Sequence, residues 1–206
     1  MPVASRIVES FAENRWVKSA RLEPVASAIS GEIVAETGSD GLDFGAMVRH
    51  ARTKGGQALR KLTFHERANL AKALGQAIME RKEELYGISF DTGATRADSW
   101  IDIEGGAGTL FSIASKAKRE LPNARLIVDG DLEPLSKTGS FAGLHVYTSK
   151  QGVAVHINAY NFPVWGMLEK LGPALVAGLP VIVKPAQQTG YVAEAAVRIM
   201  LDTGLV

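Results

Sequence analysis

The tightest constraint on the fold sits near the end of the chain, where two short apolar runs alternate with two helical ones. Val153-Ala154-Val155-His156-Ile157 reads as a strand, apolar enough to be buried on both faces. Val164 to Ala177 has the spacing of a helix, with Pro173 expected to bend it and Gly178 to end it. Val181-Ile182-Val183 is a second buried strand, and Val192 to Asp202 a second helix. The order β-α-β-α specifies a parallel sheet with right-handed crossovers. Two strands do not finish such a core. Unpaired edges and an apolar face are therefore expected to make the chain poorly soluble alone.

Upstream the texture is different. Val25 to Ile29 and Glu32 to Ala35 suggest two strands around a turn at Ser30-Gly31. A helix opens at Asp43 and is expected to end at Gly55-Gly56. Thr63-Phe64-His65-Glu66 is a capping box, in which hydroxyl and carboxylate satisfy free backbone donors reciprocally. Leu70, Ala71, Leu74, Ala77 and Ile78 then follow on one buried helical face. Further helices are expected over Lys82 to Phe90 and from Ala97 or Asp98 to Arg119. Arg125 to Val128 and Phe141 to Thr148 read as an antiparallel ribbon, with a turn at Asp129-Gly130-Asp131.

Bulk properties exclude several classes. A formal charge of +1 leaves no basic surplus for nucleic acid. No apolar run is long enough to cross a bilayer, and the first residues lack a secretory apolar core, so a cytoplasmic address is expected. There is no cysteine, hence no disulfide and no thiolate metal site. His50, His65, His145 and His156 have no ligand spacing, so no metal is expected. Asp98, Asp102 and Glu104, at a helix start, are expected to complement its dipole.

In a parallel sheet ligands collect where strands end and helices begin. Those turns are Asn158-Ala159-Tyr160-Asn161-Phe162-Pro163 and Lys184-Pro185-Ala186-Gln187, and neither carries Gly-x-Gly-x-x-Gly. Ala159 to Pro163, Lys170-Leu171-Gly172-Pro173-Ala174-Leu175 and Val183-Lys184-Pro185 agree in order and spacing with motifs of one superfamily. The chain resembles the N-terminal portion of an aldehyde dehydrogenase. The stretch Thr92 to Ser99 followed by Ile103-Glu104-Gly105-Gly106 resembles the subgroup that oxidises CoA-linked semialdehydes after ring opening in phenylacetate or benzoate breakdown.

The resemblance implies an α/β fold: a Rossmann-like parallel sheet with N-terminal helices and a projecting β-ribbon. It divides the chain into a helical part of the cofactor domain at 1–122, an oligomerisation ribbon at 123–150, and the first β-α-β-α at 151–206. It implies oxidation of an aldehyde, CoA-linked in that subgroup, with NADP, NAD being the other option, in a homodimer or homotetramer. Asn161 would donate to the substrate oxygen that becomes negative under thiolate attack. Pro163 should hold Phe162 extended and so set how the loop leaves Asn161. The plainer alternative makes Asn161 a turn residue bonding its own backbone.

Lys184 would bond the adenosine ribose, or else be a solvated lysine closing a strand. Gln187 stands where many NAD-using members have Glu. A neutral amide does not repel a 2′-phosphate, which favours NADP, although Gln187 could equally be a solvent-facing side chain. Asn158 and Tyr160 would border the nicotinamide half through their backbone. Lys170 matches a lysine near the catalytic chamber, or else pairs with Glu169. The family's cysteine nucleophile and glutamate base belong to its second half, so the chain alone is expected to be inactive. The alternative function is a truncated, non-catalytic dinucleotide-binding or assembly module.

Overall fold

The structure, a computed structural model, describes residues 5–205. β1 (Arg6–Ile7), β5 (Ile33–Thr37) and β4 (Glu23–Ala26) form a three-stranded sheet in that order, β1 parallel and β4 antiparallel to β5. Gly31, at φ +74°, makes the β4–β5 turn, and Ser27 Oγ accepts from the amides of Ile29 and Ser30. β2 (Ser10–Ala12) and β3 (Arg15–Val17) make a small hairpin. These three-residue strands are too short to show a period.

The Asp43 carboxylate caps α1 (Phe44–His50), accepting from the Ala46 amide at 2.8 Å. The helix does not stop at Gly55-Gly56. It passes through a π-helical stretch, Ala51–Gly55, into α2 (Gly56–Lys61), with Gly55 itself in the right-handed helical region. A Cβ on Gly55 would lie 3.1 Å from Pro180, so packing rather than helix termination accounts for a small residue here.

α3 (Phe64–Glu80) carries the expected capping box: Thr63 Oγ1 accepts from the Glu66 amide and Glu66 Oε2 accepts from the Thr63 amide. Thr63 also donates to Asn123 at 2.7 Å, tying the helix start to the base of the ribbon. Thr63→Ala should therefore cost roughly 0.5–2 kcal/mol, read as a lower urea midpoint, and Thr63→Ser should restore most of it. An unchanged midpoint for the alanine variant would show that the helix start is held by packing alone.

α4 (Lys82–Ser89) follows. α5 (Arg96–Trp100), a π-helical stretch at Ile101–Gly105, and α6 (Gly106–Glu120) then run on as continuous right-handed helical backbone, which is the long helix expected from Ala97 or Asp98 to Arg119 with a π segment inside it. α3 packs on α6, and α6 on α7 (Pro163–Val176). With α8 (Gly190–Asp202) these helices enclose Leu74, Ile78, Leu110, Leu168, Val192 and Ile199.

β6 (Leu126–Pro134) and β7 (Ala142–Thr148) form the antiparallel ribbon. The expected turn at 129–131 is instead a bulge: the register shifts between Asp129 and Glu133, with Gly130 at φ +79°. The chain reverses further on, where the Leu135 amide donates to the Phe141 carbonyl. A glycine between two aspartates carries the same local signal for a turn as for a bulge. Only the pairing across the ribbon separates them.

β8 (Ala154–Ile157) and β9 (Val181–Lys184) pair in parallel, connected through α7. Pro173 lies inside α7, and the left-handed Gly178, at φ +78°, follows its end. The strands are not buried on both faces. Val155 is 59% exposed and Ile157 75%, because α7 covers only the side bearing Ala154 and His156.

Candidate active site

The two strand-end turns lie side by side. Ile157 pairs with Lys184, and one residue further the Asn158 amide donates to the Lys184 carbonyl at 3.0 Å. Beyond that point a side chain takes over from the ladder. Thr189, buried in the short 3-10 turn Gln187–Thr189, donates its hydroxyl to the Tyr160 carbonyl at 2.7 Å. This bond fastens the 158–163 turn to the 184–189 turn. Asn158, Tyr160, Asn161, Lys184 and Gln187 are thereby brought to one end of the parallel pair.

Four of these five residues turn to solvent: Tyr160, Asn161, Lys184 and Gln187 are exposed. Asn158 is different. Its side chain is buried, and neither amide atom has a hydrogen-bond partner. It lies against Gly166 on the first turn of α7. Gln187 donates to the carboxylate of Glu23 at 2.9 Å, so β4 supplies an acid next to this position. Lys170 reaches two oxygens: it donates to the Gly166 carbonyl at 2.7 Å and pairs with Glu169 at 2.8 Å. The ion-pair alternative for Lys170 is the one observed.

The backbone at Phe162 is the main departure from expectation. Phe162 is not extended; it sits in the left-handed region at φ +54°, ψ +57°. For a residue with a Cβ this costs on the order of 1–3 kcal/mol, so the surroundings must enforce it. A proline at the next position favours extended backbone, so the left-handed conformation of Phe162 runs against the local preference and is imposed by contacts from elsewhere. The result is a sharp change of direction between Asn161 and the first turn of α7, which leaves Asn161 at the open end of the strands.

The acids of the 98–104 segment separate into three roles. Asp98 forms a capping box with Thr95 and so serves its own helix. Glu104 takes an ion pair from Lys82 at 2.8 Å and a hydrogen bond from Tyr86 at 2.7 Å. Asp102 is buried and serves a different helix: its Oδ1 accepts from the amides of Val164 at 3.0 Å and Trp165 at 2.7 Å, in the first turn of α7. Burial pushes the Asp102 carboxyl up to about 6, against the lowering effect of these two bonds. Its Oδ1 faces the positive end of α7. Burial, and then the nearby Lys170, hold His156 below the ordinary histidine range. Among the described residues no three His, Asp or Glu side chains gather as a metal ion would require.

A sequence profile of the aldehyde dehydrogenase family matches residues 16–205. The chain belongs to the aldehyde dehydrogenase family. It is 36% identical over 198 residues to 3,4-dehydroadipyl-CoA semialdehyde dehydrogenase of Aromatoleum evansii, a match covering 95% of the chain and 38% of that protein. It is 31% identical over 146 residues to the mitochondrial succinate-semialdehyde dehydrogenase of Oryza sativa subsp. japonica, covering 70% of the chain and 26% of that protein. Among solved structures it superposes on lactaldehyde dehydrogenase from Escherichia coli with a TM-score of 0.82 at 20% identity, covering 98% of the chain and 41% of that one. It superposes on 3,6-anhydro-L-galactose dehydrogenase in complex with NAP with a TM-score of 0.81 at 22% identity, covering 97% of the chain and 40% of that one. The chain spans well under half the length of each of these relatives. The α/β fold and the family read from residues 159–163, 170–175 and 183–185 are both shown.

In this aldehyde dehydrogenase chain the sequence gives no sign of the contacts made by Thr189 and Glu23, and not the helix that Asp102 serves. Thr189 lies two residues past the second turn and has no motif of its own. Asp102 was visible as an acid near a helix start, but which helix it serves depends on the packing of α6 against α7. Glu23 carries no local signal for its contact with Gln187.

Proposed function

We propose that the whole protein containing this chain oxidises an aldehyde to the carboxylic acid with NAD(P)+, the aldehyde being a CoA-linked semialdehyde. Within that activity Asn161 is the oxyanion donor. The observation that carries the assignment is the placement of Asn161: exposed at the carboxyl end of the parallel strands, on a turn held by the Thr189–Tyr160 bond and by the strained backbone at Phe162. The substrate class rests on the 36% identity to a CoA-semialdehyde dehydrogenase.

Chemically, a thiolate adds to the aldehyde carbon and the carbonyl π electrons move to oxygen. The nucleophile must come from outside this chain, which contains no cysteine. Asn161 can donate its side-chain N–H to the oxygen as the charge forms. An amide keeps its protons through the step, so the donor is in place without a preceding proton transfer. NAD(P)+, which Lys184 and Gln187 at the strand ends would hold, would supply the acceptor for the hydride of the former aldehyde carbon. The resulting thioester is hydrolysed to the acid.

The residues at the strand ends fit a dinucleotide. Lys184 is exposed and offers ammonium donors for ribose hydroxyls, with Gln187 close by across the turn. The backbone at Asn158 and Tyr160 would border the nicotinamide half, and the β6–β7 ribbon would be the oligomerisation arm. Neutral Gln187 supports NADP+. Gln187→Glu should raise the Michaelis constant for NADP+ several-fold while changing that for NAD+ less, because a carboxylate repels the 2′-phosphate. Equal effects on both would show that residue 187 does not sense the 2′ position. One observation favours NAD+ instead: the Glu23 carboxylate already lies against Gln187. If it senses the 2′ position, Glu23→Gln should improve NADP+ binding selectively.

A further inference from the structure

The turn that presents Asn161 is anchored by a residue far away in sequence. α7 begins with the N-cap Phe162, whose side chain cannot accept a hydrogen bond, and Pro163 at the first position has no N–H. The next two amides, Val164 and Trp165, are taken by one oxygen of Asp102. Asp102 lies on the π-helical stretch before α6, 62 residues from Val164 and 63 from Trp165. The two glycines that follow let α7 come this close. A Cβ on Gly105 would meet the Trp165 ring at 2.5 Å, and one on Gly106 would meet the Trp165 backbone at 3.0 Å.

Asp102 is 3% exposed and its other oxygen has no partner, so the carboxylate bears a desolvation cost against which its two bonds to the α7 amides are set. What it holds is the start of α7, directly after the strained Phe162 and two residues beyond Asn161. A cap supplied from another helix fixes the turn relative to the body of the protein, which a cap from the turn itself could not do.

We propose that Asp102 is a positioning residue for the oxyanion donor: by binding the first free amides of α7 it holds Phe162 left-handed and aims the Asn161 amide. The inference rests on the reading of Asn161 given above. It is tested in the whole enzyme by a cycle of variants at 102 and 161, with turnover, Michaelis constants and melting temperature measured for each. Displacing a catalytic group by ~1 Å can cost up to about 10² in rate, so Asp102→Ala should lower turnover on the order of tenfold with little change in cofactor affinity. Asp102→Asn keeps an acceptor oxygen and should retain most of the activity. In an Asn161→Ala background, Asp102→Ala should add no more than about a twofold further loss, because the group it aims is gone.

Should Asp102→Ala fail to fold, Asp102→Glu replaces it. That variant keeps the charge and pushes the turn outward by a methylene, and its loss should likewise vanish without Asn161. If Asp102→Ala folds with normal turnover, or loses the same factor in both backgrounds, Asp102 is merely structural and the inference is overturned. If Asn161→Ala itself keeps normal turnover, the oxyanion reading falls and the inference falls with it. A low Asn161→Ala rate beside a normal Asp102→Ala rate overturns only the latter.

Discussion

Asn161→Ala lowers the turnover of the whole enzyme by ~10²–10³, roughly 3–4 kcal/mol of barrier, and leaves cofactor affinity and melting temperature nearly unchanged. The size follows from when the charge exists. The substrate oxygen is neutral in the bound aldehyde and negative only after thiolate attack, so a donor aimed at it stabilises the transition state more than the ground state. Stability should be spared because Asn161 is exposed and the turn is held by Thr189 and Asp102 through other residues' backbone. Asn161→Asp should be at least as damaging, since a carboxylate repels the developing charge. A residue needed only to shape the turn behaves in the opposite way, losing stability as alanine and tolerating aspartate. Near-normal turnover in Asn161→Asp would sink the oxyanion assignment.

Leu110→Ala should give the largest loss of stability, ~2–5 kcal/mol, as a marked fall in the urea midpoint of the whole protein. Leu110 is fully buried on α6, between α3 and α7. Its side chain lies 3.2 Å from where a Cβ on Gly172 would be, and its Cβ 3.3 Å from the corresponding point on Gly75. Both flanking positions lack side chains, so neither neighbour can move atoms into the space that alanine would leave. The cavity term therefore adds to the lost transfer energy. By contrast Phe44, 62% exposed, should tolerate alanine within about 0.5 kcal/mol. A Leu110→Ala loss under ~1 kcal/mol would mean that the α3–α6–α7 contact closes around the gap.

Much of the architecture was legible because its signals are local or periodic. The strand–helix–strand–helix order from Ala154 to Asp202 follows from apolar spacing, and the Thr63–Glu66 box from two residues three apart. The turns at 158–163 and 184–187 follow from where strands must end, and their motifs identified the family. What local pattern could not supply was everything that joins distant segments. Gly55-Gly56 looks like a break in sequence, yet it lies in continuous helical backbone and admits a neighbour, as Gly105-Gly106 does further along. Asp102 looks like an acid for its own helix and caps another.

Phe162 shows the division most sharply. The pre-proline restriction favours extended backbone here, and that is as far as the local sequence goes. The left-handed choice belongs to the tertiary structure. Asp102 binds the following amides, and Thr189, 29 residues from Tyr160, holds the preceding carbonyl. The Gln187–Glu23 contact spans 164 residues and changes the charge at a position whose neutral side chain had favoured NADP. Chain chemistry within a few residues set which elements form and which residue types stand at the strand ends. Packing of α6 on α7, and of β4 beside the 187–189 turn, decided where those residues point and what charge they meet, because those contacts exist only once the helices and sheet have closed on one another.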